Sequence, residues 1–317
     1  MIENSPRTPL MSVADWHRAG QRFNYRGHDI FYAKSAGTHR EVLLLIHGFP
    51  TASWDYSAVW ARLSQRFQLI APDLIGFGFS AKPADYDYSI HDQASLCEAL
   101  LTQLGVREYH ILAHDYGDTV AQELLARHHE DGFKTPLRPQ LKSVCFLNGG
   151  LFPETHRPLM AQRLLLSPFA AWIARHINKE KFAANMLAIA GSEYPPTSVE
   201  IDGFWSLISH NNGLQVFPKL IRYIRERRQF RARWVGALIK TGTHADAQVT
   251  PIRLIDGAAD PISGEHMAKR YGALVPNADC ILLNGIGHYP QIEVPVLLVD
   301  LFLNFHDTRV AASRHQS

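Results

Sequence analysis

The residues best suited to chemistry in this 317-residue chain are His114-Asp115-Tyr116-Gly117-Asp118, set between an apolar run at 109–113 and a helical pattern at 119–129. A strand, a sharp polar turn and a helix form the setting of a nucleophile elbow, which lifts one side chain above the C-terminal edge of a sheet. Ala113 and Gly117 stand two residues either side of Asp115, small where strand and helix must approach each other. The reacting group would then be a carboxylate. A carboxylate suits attack on an electrophilic carbon, forming an alkyl ester that water hydrolyses, and it suits ordinary acyl transfer poorly. The competing reading is that Asp115 simply caps the helix that follows.

Two further segments weigh against a mere cap. Pro251–Pro261 ends an apolar run with Asp260 in a turn, and Leu282–Pro290 ends the next with His288. Nucleophile, acid and histidine in that chain order make a triad in which His288 takes a proton and Asp260 orients its ring. Asp260 could otherwise stabilise its own turn, and His288 could be a loop histidine held by local hydrogen bonds. Asp256, inside the strand end, reads as structural. Upstream, Leu45-Ile46-His47-Gly48-Phe49-Pro50 ends the first apolar run. Backbone N–H groups of Phe49 and Tyr116 would converge on the charge that develops while the ester is cleaved, with Gly48 and Pro50 shaping the loop. His47 reads as a hydrogen-bonding support of that loop.

Positioning these groups requires parallel strands ending side by side. Short runs rich in Val, Ile and Leu at 42–46, 67–71, 109–113, 143–147, 252–255 and 280–283 alternate with helical patterns at 90–104, 119–129 and 294–305, which predicts an α/β fold with a mostly parallel sheet. Residues 23–32 alternate around Arg26-Gly27-His28 and read as an antiparallel hairpin at the sheet edge. The alternation stops between 149 and 244, where helical spacing at 158–174, 179–189, 198–209 and 216–236 follows without a strand. The expected organisation is a core from 1–148 and 245–317 with a helical cap at 149–244.

The composition fits this picture. With 46% hydrophobic and 20% charged residues and a net charge of +2, the chain has no general affinity for nucleic acid or an anionic surface. No apolar run reaches the roughly 18 to 20 residues that a bilayer span needs. The first residues lack a signal-peptide pattern. Three scattered cysteines read as reduced thiols of a cytoplasmic protein. Gly76-Phe77-Gly78 lacks the third glycine of a dinucleotide fingerprint. The 17 histidines show no H-E-x-x-H or Cys/His spacing. Neither cofactor nor metal is expected. Six arginines from Arg222 to Arg233 read as a solvated basic face paired with nearby acids, the alternative being recognition of an anionic substrate or partner.

His114–Asp118, Leu147–Pro158 with its Pro-Glu-Thr-His-Arg-Pro run, Arg231–Leu238 and His288–Gln291 together resemble the α/β-hydrolase superfamily. Within it they are similar to the aspartate-nucleophile branch of epoxide hydrolases and haloalkane dehalogenases, and to the mesoderm-specific transcript group in particular. The likeness runs from about Trp16 to Phe305. It implies a cap inserted after the sixth core strand and a hydrolase acting on a small, mostly apolar electrophile, epoxide-hydrolase-like in its chemistry. In that branch cap tyrosines protonate the opening ring oxygen, which would fall to Tyr223, with Tyr194 the other cap tyrosine. The alternatives are a dehalogenase, disfavoured because Tyr116 and Phe49 stand where halide-holding residues belong, and an idle fold retained as a binding module.

Overall fold

The computed structural model describes residues 8–37, 39, 41–131, 138–243 and 250–310. In chain order it begins with helix α1 (Val13–Ala19), then strands β1 (Gln21–Tyr25), β2 (His28–Lys34) and β3 (Val42–Ile46), helix α2 (Ser57–Leu63) and strand β4 (Gln68–Pro72). Helix α3 (Ile90–Gln103), β5 (Glu108–His114), α4 (Tyr116–Asp131) and β6 (Gln140–Leu147) follow. Seven helices then come in succession: α5 (Met160–Leu165), α6 (Ala170–Arg175), α7 (Lys179–Ile189), α8 (Ser198–Ser209), α9 (Phe217–Leu220), α10 (Tyr223–Gln229) and α11 (Arg231–Thr243). The chain returns to the sheet with β7 (Ile252–Gly257), α12 (Glu265–Leu274), β8 (Cys280–Leu283), α13 (Pro290–Glu293) and α14 (Pro295–Phe305).

The eight strands form one sheet in the order β1-β2-β4-β3-β5-β6-β7-β8. β2 pairs antiparallel with β1 and β4, and every pair from β4 to β8 is parallel. All five residues of β3 are buried, and in β5 all but Glu108. That is the near-continuous apolar run expected of a parallel strand covered on both faces. The parallel strands end on one edge, so their C-terminal turns, which carry Gly48, Asp115, Asn148 and Asp260, lie side by side.

The strand expectations hold to within a few residues, and the hairpin turns at Arg26-Gly27, both with positive φ. Four helices, α1, α2, α12 and α13, escaped the sequence reading. Two long helical expectations are broken. The pattern at 158–174 divides into α5 and α6 because Pro168 has no N–H to donate and disfavours helical geometry in the residue before it. The pattern at 216–236 divides into α9, α10 and the start of α11, with Pro218 in the first turn of α9.

Among the described residues no helix is long and apolar enough to cross a membrane. Cys97, Cys145 and Cys280 are free thiols.

Candidate active site

Asp115 occupies the single residue between β5 and α4, with φ of +47°. A side chain other than glycine in the left-handed region carries strain, and here the surrounding packing imposes it. A Cβ on Gly117 would overlap the Ile46 carbonyl, so only glycine lets α4 start against the end of β3. Gly48 works the same way: a Cβ there would come within 2.7 Å of His114 Nδ1 and 3.0 Å of the Asp115 Cβ.

The Asp115 carboxylate is 3% exposed and does not cap α4. The Asp118 N–H bonds to the Asp115 carbonyl at 3.2 Å. The carboxylate instead takes the Phe49 N–H on Oδ2 at 3.0 Å and the Tyr223 hydroxyl on Oδ1 at 3.4 Å. Tyr116 opens α4, so its N–H is one of those a helix leaves without an internal partner. The His47 ring accepts the Leu74 N–H on Nε2 at 3.1 Å and donates from Nδ1 to the Gly48 carbonyl at 2.9 Å, which props the loop. The peptide from Phe49 to Pro50 is cis.

His288 and Asp260 meet as the sequence suggested. His288 Nδ1 lies 2.8 Å from Asp260 Oδ2. Asp260 also accepts the Ile262 N–H at 2.8 Å and the Ser263 hydroxyl at 2.8 Å. Burial alone would discharge both groups. Mutual attraction outweighs it, taking the Asp260 carboxyl down to about 2 and the His288 ring up to about 8, with Asp115 adding to the latter.

Four contributors were missed or misassigned. Asn148, with φ of +39°, ties the end of β6 to the acid loop: its amide donates to Asp260 Oδ2 at 3.1 Å and its oxygen accepts the Gly257 N–H at 2.7 Å. His114 Nε2 donates to the His288 carbonyl at 2.8 Å, anchoring the backbone of that histidine. His156 brings an imidazole among Arg227, Asp115, Asp260 and His288. Arg227 departs from the solvated basic face. Arg222, Arg225 and Arg228 are exposed, Arg231 pairs with Glu154 at 2.6 Å, and Arg233 pairs with Glu123 at 2.7 Å and with Glu130. Arg227 is 2% exposed, with Nη2 donating to the Asp115 carbonyl at 3.1 Å. Its spacing of four from Tyr223 was the available signal, since such residues share a helix face.

Aromatic rings wall Asp115. Tyr116 and Tyr223 stand 4.7 Å apart between centroids, and Phe49 and Phe217 5.1 Å. Tyr194 sits half-buried in the turn after α7, its N–H bonded to the Gly191 carbonyl at 2.9 Å. At the opposite ends of the strands, Glu41, His110 and His306 bring ligand atoms within 4.8 Å of one another, a grouping able to hold a cation and remote from Asp115.

A carboxylate with one oxygen on a backbone N–H and the other on a phenol, beside a histidine–aspartate pair, can attack carbon and then have its ester cleaved by activated water. The profile of the α/β-hydrolase fold matches residues 41–295. The chain therefore belongs to the α/β-hydrolase family. Among its relatives, the mesoderm-specific transcript protein of Mus musculus is 40% identical over 311 residues, with 94% of this chain and 89% of that protein aligned. The Homo sapiens homologue is 41% identical at the same coverage. Solved structures of like fold include the epoxide hydrolase CorEH (TM-score 0.69, 17% identity, 91% of this chain and 98% of that one) and a loop variant of the haloalkane dehalogenase DbeA from Bradyrhizobium elkanii (TM-score 0.74, 21% identity, 94% and 99%).

Proposed function

We propose that the protein is an epoxide-hydrolase-like enzyme working through an alkyl ester on Asp115. The observation that carries this reading is the carboxylate at the elbow, held by the Phe49 N–H on one oxygen and facing the Tyr223 hydroxyl on the other. The helices at 149–244 act as a cap. With Asp115, His288, Tyr223 and Arg227 all buried, a substrate enters when this cap parts from the core. The ring wall favours a mostly apolar electrophile of small size.

In the first step an Asp115 oxygen attacks an epoxide carbon and the ring C–O bond breaks. The leaving oxygen takes the proton of Tyr223. Burial, then the Asp115 charge, holds that phenol well above its ordinary value, so it keeps its proton until an alkoxide develops. Alkylation removes the Asp115 charge, one of the influences holding His288 at about 8. The His288 proton then passes to the Tyr223 phenolate left by ring opening, so the ring is neutral when a base is needed. Neutral His288 takes a proton from water, which attacks the ester carbonyl. The oxyanion rests on the N–H groups of Phe49 and Tyr116. Collapse expels the diol oxygen, which is protonated by His288, and the remaining proton on Asp115 returns to His288. The sum is epoxide plus water giving diol.

The phenol favours an epoxide over a haloalkane: it can protonate a strained ether oxygen, whereas departing halide needs no proton. The test is His288→Gln incubated with a panel of aliphatic and aryl epoxides, followed by mass analysis of the Asp115 peptide. The expected result is a gain equal to the epoxide mass. An unmodified peptide across the panel, with the variant folded, overturns the ester route.

A further inference from the structure

Two side chains beside Asp115 carry hydrogen-bonding capacity that these steps leave unused. The Arg227 Nε donates to the Thr119 hydroxyl at 2.8 Å, Nη2 lies 3.7 Å from Asp115 Oδ1, and the guanidinium carbon sits 4.4 Å from the Tyr223 ring centroid. Nη1 is buried and has no hydrogen-bond partner among the described residues. His156, in the loop after β6, has both ring nitrogens buried in the same condition. The two groups meet over Gly150: a Cβ there would overlap Arg227 Nη1 and stand 3.2 Å from His156 Nδ1. Burial, followed by the Arg227 charge, takes His156 down to about 3. Its ring is neutral at pH 7 and offers one N–H donor.

An unmet donor on a buried charged group is costly, and Asp115 engages only the other arm of the fork. The complementary group is an acceptor that brings negative charge, because guanidinium binds carboxylate through paired N–H groups. The arginines of this region were expected to face solvent. Five of the six do, wholly or in ion pairs, and the sixth points inward at the nucleophile.

We propose that Arg227 Nη1 and His156 bind the carboxylate of the substrate, so that the electrophile opened at Asp115 is a small epoxy acid. The reach sets the size. With Nη2 of the same guanidinium 3.7 Å from Asp115 Oδ1, a carboxylate on Nη1 sits on the attacked carbon or its neighbour. One guanidinium then faces both carboxylates and offsets their repulsion. The chemistry of this assignment rests on the alkyl-ester reading, whereas the binding does not.

Binding is measured without turnover, by titrating butyrate and its uncharged counterpart butyramide into the full-length protein at pH 7. Butyrate is expected to bind at least about tenfold more tightly, and Arg227→Gln to erase the difference. A charge-assisted hydrogen bond accounts for a factor of roughly 10 to 100. Should Arg227→Gln fail to fold, His156→Leu carries the comparison, with butyrate weakened about tenfold and butyramide unchanged. Equal binding of the two ligands, no binding of butyrate, or butyrate binding indifferent to whichever variant folds overturns the subsite. In turnover, glycidate should exceed glycidamide in kcat/KM about tenfold or more, and the ratio should collapse in the Arg227 variant chiefly through KM. A ratio near one in the wild type also overturns it. If butyrate binds through Arg227 while no epoxide alkylates Asp115, the ester route fails and the subsite stands. Alkylation by glycidamide without butyrate binding gives the reverse.

Discussion

At the scale of single residues, the site depends on which proton each ring keeps. The Asp260 carboxylate fixes His288 with its Nδ1 as donor, which on the proposed route leaves Nε2 for water. In Asp260→Asn the amide nitrogen can face that ring and favour the wrong tautomer. On the proposed route alkylation needs no base and hydrolysis does. Single-turnover kinetics should therefore show near-normal ester formation with ester breakdown slowed by roughly 10²- to 10⁴-fold, the range that loss of an orienting acid produces elsewhere. Equal slowing of both steps would remove Asp260 from the hydrolytic half. Asn148 works one contact further out, and its hydrogen bonds to Asp260 and Gly257 replace solvent the buried carboxylate cannot reach.

At the scale of elements, the decisive contact is the start of α4 against the end of β3. Gly117 has no room for a Cβ because the Ile46 and His47 carbonyls occupy that space, whereas Gly236, inside α11, has nothing within 4 Å. Gly117→Ala is expected to cost about 2 kcal/mol or more through overpacking against backbone that cannot yield. Gly236→Ala should instead add about 0.5–1 kcal/mol by restricting the unfolded chain and favouring helix. Chemical denaturation of the two variants side by side measures both signs. A neutral Gly117→Ala would mean that α4 does not sit where the elbow requires. The link from α10 to the sheet domain is similarly specific: the Glu226 side chain accepts the Ile90 N–H at 3.0 Å at the start of α3, which fixes the helix that carries Tyr223 and Arg227.

For the whole molecule, the buried groups give a direction to the pH dependence of stability. His288 holds its proton up to about 8 when folded, against an ordinary value of 6.5. Its contribution, about 2 kcal/mol at 1.4 kcal/mol per pKa unit, is complete below pH 6.5 and lost as pH rises through 8. Burial raises the carboxyls of Asp55, Asp118 and Asp256 well above their ordinary range. Groups that retain protons in the folded state all act in the same sense. The stability of the wild type relative to His288→Gln should therefore fall between pH 6.5 and 9. Calorimetry of the two proteins over that interval measures the difference, and a difference that grows with pH would contradict the assignment.

Much of the fold was legible from periodicity alone. Strands buried on both faces must be runs of Val, Ile and Leu, and the turns between them need small or polar residues, so the six core strands, the edge hairpin and, among the described residues, the strandless stretch at 149–243 could all be placed. The elbow, Asp260 and His288 were legible because each sits at a strand end, where one residue of context fixes its location. Helices such as α2 and α12 were not, being short and amphipathic only in relation to neighbours distant in sequence. Nor was the division of 216–236, on which the site depends. A run of arginines reads as a charged surface until packing decides which one turns inward. Arg227 is buried because Thr119 and the Asp115 carbonyl, at the start of α4, and the Tyr223 ring, on its own helix, meet its guanidinium. Local sequence determined which residues could react. Contacts between segments some 110 residues apart in the chain, which no local pattern encodes, decided what surrounds them.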